Sequence, residues 1–150
     1  MKRAEKAEAL FLEGYNCAQA VAGAFCDEMN LPFDAVMKLS SSFGGGIGRM
    51  REVCGACSGM FMVIGMLYGY ETPETGEKKA EHYARIRALA ERFKEQNGSI
   101  ICREILGEAA TVGGTPEART KAYYDKRPCV RCVCTAADVL EEYICAKAQQ

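Results

Sequence analysis

The chain has 150 residues, 49% hydrophobic and 26% charged, with 19 Lys and Arg against 20 Asp and Glu for a formal net charge of −1. Charges so balanced and so mixed argue against a nucleic-acid surface, and the length suits a single domain, 1–150, that buries about 70% of its unfolded surface. A core of that size stands without disulfide staples, so the nine cysteines need another explanation.

The first residues, Met1–Lys6, are basic, but Glu5, Glu8 and Glu13 interrupt the apolar stretch an export signal requires. A cytoplasmic protein is expected. Reducing conditions there disfavour stable disulfides and turn cysteine clusters toward metal ligation or redox work.

Helical periodicity with almost no strand alternation predicts an all-α fold. Ala4–Glu13 and Cys17–Met29 read as a helix pair broken by Gly14-Tyr15-Asn16, with Asn16 as an N-cap. Pro32–Leu39 is a short helix. The loop 40–48 holds Gly44, Gly45, Gly46 and Gly48, but it has no preceding strand and no following Lys-Ser or Lys-Thr. Closely approaching backbone explains it better than phosphate binding.

Val53 to Tyr70 carries no charge over 18 residues, the lower limit of a membrane span. Its glycines and cysteines instead suit a central apolar helix, 53–69, buried on all sides in a compact bundle of about six to seven helices. No membrane association is expected, and apolar residues left exposed on this helix would form the seam of a homodimer.

A turn at Glu71–Gly76 leads into an amphipathic helix, Glu77–Gln96, whose stripe of His82, Ile86, Leu89 and Phe93 faces the core. His82 reads as a packing histidine. The helix stops at Asn97-Gly98. Ile100–Leu106, Glu117–Tyr124 and Cys129–Lys147 complete the helices, with Pro128 suited to the first position of the last one.

At about 100° per residue, Cys17, Cys54, Cys57, Cys102, Cys129 and Cys132 fall on inward stripes, whereas Cys26, Cys134 and Cys145 face away. Cys17, Cys54, Cys102 and Cys129 also lie in the first turn of a helix. Free N–H groups and the positive helix end favour a thiolate there, and Arg51, Arg103, Arg127 and Arg131 lie within three residues of these cysteines. Converging helix starts would make a thiolate-rich, cation-compensated pocket.

The segments Gly14-Tyr15-Asn16-Cys17-Ala18-Gln19-Ala20-Val21, Gly44-Gly45-Gly46-Ile47-Gly48-Arg49, Cys54-Gly55-Ala56-Cys57-Ser58-Gly59 and Cys102-Arg103-Glu104-Ile105-Leu106-Gly107, with Cys129, resemble the C-GCAxxG-C-C family of redox-active proteins. The resemblance runs from about Glu8 to Tyr143. It gives one family cysteine each to Cys17, Cys54, Cys102 and Cys129. The family is similar to the cysteine-rich part of split-Soret cytochrome c, an all-α dimeric protein associated with haem and an iron–sulfur centre. The resemblance therefore implies redox chemistry or electron transfer with a redox partner protein. Neither Cys54–Cys57 nor Cys129–Cys132 is followed by His, so no c-type haem is expected.

Three chemistries suit these residues. Cys17, Cys54, Cys102 and Cys129 would ligate an iron–sulfur cluster, most simply [2Fe–2S]. Alternatively Cys54 and Cys57 form a catalytic thiol–disulfide pair at a helix start. The third is a structural zinc site on the same thiolates.

Overall fold

The structure, a computed structural model, describes residues 1–73 and 76–150. Glu74 and Thr75 of the expected 71–76 turn lie outside the described residues. The fold is all-α, as expected. Its longer helices are α1 (Arg3–Leu12), α2 (Cys17–Gly23), α4 (Phe33–Ser40), α6 (Gly55–Tyr68), α7 (Gly76–Asn97) and α10 (Cys129–Ala148); between them lie the shorter α3 (Cys26–Met29), α5 (Gly44–Ile47), α8 (Cys102–Leu106) and α9 (Lys121–Lys126).

The local signals act at, or within one residue of, where the sequence places them. The Asn16 side chain accepts from the Gln19 N–H at 2.8 Å, and the Gln19 side chain accepts from the Asn16 N–H at 3.0 Å. This capping box satisfies two otherwise free donors and fixes the first residue of α2, Cys17. Pro128 sits just before α10 rather than inside it, so Cys129 opens the helix. Gly98, at φ +83°, ends α7.

Layering follows from small residues. α6 packs mainly on α2, and α1 mainly on α10. A Cβ on Gly59 would stand 2.7 Å from the Ala18 carbonyl oxygen, and one on Gly55 3.1 Å from Cys17 Cβ. The glycines of α6 thus let the α2 backbone come into direct contact, and Ala18, Ala20, Val21 and Ala22 are buried there. Phe11, Phe25, Phe93, Met60, Ile64 and Leu140 fill the remaining core.

Four expectations change. The loop expected over 40–48 winds into a 3-10 turn at Ser41–Phe43 and the short α5, in which Gly45, Gly46 and Ile47 are left-handed. The Cys17–Met29 segment breaks at Ala24–Phe25, where Phe25 leaves helical geometry at φ −123°. A continuous helix would turn Cys26 outward; after the break it is half-buried. The last short helix begins at Lys121 rather than Glu117, because Thr120 caps it by accepting from the Tyr123 N–H. The apolar helix is enclosed over Gly55–Met60, but Met66 near its far end is 55% exposed. Among the described residues no helix is long and apolar enough to cross a membrane.

Candidate functional site

Two remote cysteines are joined first by backbone. Val53 and Ile101 form an isolated antiparallel bridge. The Cys54 N–H donates to Ile100 O at 2.7 Å and the Cys102 N–H to Glu52 O at 2.6 Å, so the starts of α6 and α8 lie side by side. Gly46, at φ +68°, passes beneath this clamp. A Cβ there would stand 2.7 Å from both Cys102 Cβ and Arg51 Cα, so this approach requires glycine in sterics and in backbone angle.

The starts of α2 and α10 close the other side. Cys17, Cys54, Cys102, Cys129 and Cys132 line one cavity of about 50 Å³. Cys57 lies fully buried behind it, next to Cys54. All six inward-facing cysteines therefore meet at one end of the bundle. Four are buried, and Cys17 and Cys129 are half-buried. The three others stand apart, with Cys145 exposed and Cys134 half-buried near Glu8.

A family model described as "Putative redox-active protein (C_GCAxxG_C_C)" matches residues 15–143. The chain belongs to this family. No curated protein and no solved structure matches it. The C_GCAxxG_C_C match includes all four helix starts around the cavity, and the family's redox character is consistent with the thiols that line that space.

The thiols in this family member are electrostatically unequal. Cys54, at the N-cap of α6, is held well below the usual thiol range by hydrogen bonds from Cys132 and Cys57 and from the Ala56 and Cys57 N–H groups, which together outweigh burial. Its two thiol neighbours are pushed up by that same contact and by burial. Cys17 and Cys129 form a second interacting pair. Cys129 is lowered by Cys17, with help from Arg127 and Arg119, and Cys17 is raised. Cys102 is raised by burial, although the Arg51 guanidinium, whose Nη1 lies 3.7 Å from its sulfur, opposes the shift.

Arg51 is 2% exposed. Its Nε donates to Thr111 O at 2.9 Å and its Nη1 to Cys102, but its buried Nη2 has no partner among the described residues. A buried cationic N–H without an acceptor is costly, and a negative group beside it would relieve that cost. The backbone that carries it is strained. Ile47, Arg49 and Arg51 all have φ between 60° and 66°, left-handed conformations that each cost on the order of 1–3 kcal/mol and gather at functional sites. Carbonyl contacts hold the strain, with Arg51 N–H donating to Gly45 O and Glu52 N–H to Gly46 O.

Of the four arginines expected near the pocket, Arg51 and Arg127 line it. Arg103 instead turns out to Glu52, and Arg131 donates to Asn97. Arg119 is the missed residue. It lines the cavity from the segment before α9, stacks over Phe11 at 4.4 Å and donates to the Phe11 and Tyr15 carbonyls at 3.0 Å. Sequence spacing gave no hint of it, since it lies ten positions from Cys129. His82, by contrast, packs as expected, 8% exposed with Nδ1 3.0 Å from Arg85 Nη1.

Proposed function

We propose that this protein is an electron-transfer protein whose thiol cavity holds an iron–sulfur centre, most simply [2Fe–2S], on Cys17, Cys54, Cys102 and Cys129. The observation that carries it is the meeting of these four thiols around one buried cavity, with the unpartnered Arg51 N–H beside them. When bound, such a centre supplies one-electron transfer. At about 50 Å³ the cavity is larger than a single water needs. Among the described residues no group of three or more His, Cys, Asp or Glu is placed to hold a single metal ion. Metal analysis alone separates this reading from a structural zinc on the same thiolates.

The chain's own residues set the conditions for that centre. The α6 N-terminus and the Arg51, Arg119 and Arg127 guanidiniums would offset the negative charge of four ligating thiolates. Burial of Cys54 and Cys102 keeps water from the sulfur. Anaerobic purification followed by absorption spectroscopy and iron and sulfide analysis tests the proposal. Coloured protein with matching iron and sulfide supports it; colourless, iron-free protein ends it.

A second reading rests on a separate observation, the contact of Cys54 with both Cys57 and Cys132. In thiol–disulfide exchange Cys54 would attack and either neighbour would resolve the mixed disulfide. Dithiol oxidoreductase activity that survives Cys102→Ser but is lost in Cys54→Ser would favour this reading over the cluster.

A further inference from the structure

A second and larger cavity, about 320 Å³, opens beside the thiol cavity and shares Arg51, Arg119 and Arg127 with it. Arg49 completes its basic lining, and Glu117 is the carboxylate on its wall. Arg49 Nη1 meets Glu117 at 2.7 Å and Arg127 Nη2 meets it at 2.9 Å. Arg119 spends its donors on backbone carbonyls, and Arg51 leaves Nη2 free. Four guanidiniums around one carboxylate leave an excess of positive charge in a concave space.

We infer that this vestibule binds a small molecule bearing a phosphate or carboxylate group, held so that the rest of it reaches the thiols. Three observations converge. The volume falls at the small end of small-molecule sites. Guanidinium forks match the paired oxygens of phosphate and carboxylate. Arg51, nearly wholly buried, carries an N–H that lacks an acceptor, and left-handed backbone at Arg49 and Arg51 holds two of the four guanidiniums in place. Glu117 already shows that an oxyanion fits between Arg49 and Arg127. The inference goes beyond the iron–sulfur proposal and needs no metal to be tested.

Isothermal titration of the full chain with pyrophosphate and with citrate, against sodium chloride of equal ionic strength, is the test. Saturable binding of pyrophosphate assigns a phosphate-bearing ligand, and binding of citrate alone assigns a carboxylate. Arg127→Gln is expected to weaken binding about tenfold, while Arg127→Lys, which keeps the charge but loses the fork, falls between it and the parent. Arg49→Gln, on the opposite side of Glu117, gives a second variant if Arg127→Gln folds poorly. Arg92→Gln, at a surface ion pair with Glu142 away from the vestibule, should bind like the parent. No binding of either anion, unchanged affinity in both glutamine variants at the vestibule, or equal weakening in Arg92→Gln would overturn the inference. Iron and sulfide content of the same preparation is read separately, so failure here and failure of the cluster proposal cannot be confused.

Discussion

The end of the bundle where α2, α6, α8 and α10 begin and the outer face between α1 and α10 carry the same residue in opposite surroundings. At the first, Cys54 meets helix N–H groups and neighbouring thiols, and Cys129 has Arg127 and Arg119 close by. At the second, Cys134 sits between the Ala4 carbonyl and the Glu8 carboxylate, and burial followed by Glu8 pushes its thiol up to about 11. Cysteine content alone therefore says little about redox chemistry. Neighbouring thiols first, then helix N–H groups and cations, set which sulfurs are lowered.

The largest effect should come from the backbone that builds the first environment. Gly46→Ala forces a left-handed alanine against Cys102 and Arg51 and is expected to cost roughly 2–4 kcal/mol, read by urea unfolding. A cost below about 0.5 kcal/mol would show that the loop does not pass as closely as described. Gly59→Ala, at the α2–α6 seam, should cost about 1–3 kcal/mol through overpacking against the Ala18 carbonyl. Because that seam sets the spacing of Cys17 from Cys54, the variant should also lose iron in proportion, if the centre is present.

Smaller effects belong to the outer face and the loop. The pH midpoint for alkylation of Cys134, followed by mass spectrometry, should lie near 11 and move down in Glu8→Gln, which removes the repelling carboxylate. An unchanged midpoint would contradict the assigned cause. Glu117 is held near about 2, chiefly by its hydrogen bond from Arg49. A depressed carboxyl contributes stability that is present above its unfolded value, near 4.3, and is lost as pH falls through about 2. Thermal unfolding of the parent should therefore fall across that window more steeply than that of Glu117→Gln. The gain is modest, because Glu117 is 39% exposed and solvent screens the pair. Smallest of all, Cys145→Ser should change stability by less than about 0.5 kcal/mol.

What could be read from sequence follows from how local each signal is. Asn16, Pro128 and Gly98 act on adjacent backbone, so the starts of α2 and α10 and the end of α7 were legible. Stripe geometry likewise separated the six gathered cysteines from Cys26, Cys134 and Cys145. The Val53–Ile101 bridge was not legible, because one paired residue on each side creates no alternation to detect. Arg119 escaped for a related reason. Its role depends on carbonyls of α1 and the following turn, more than 100 positions earlier in the chain. The break at Phe25 shows the limit of angular arithmetic, which holds only while a helix stays continuous.

Mild oxidation of metal-free, chelator-treated protein, followed by disulfide mapping, examines most directly whether remote sulfurs gather at one place. Bridges drawn only from Cys17, Cys54, Cys57, Cys102, Cys129 and Cys132, with Cys17–Cys129 among the first to form and Cys26, Cys134 and Cys145 left unpaired, are the expected result. Bridges that regularly join the outer cysteines to the inner ones, or no intrachain bridges at all, would contradict it.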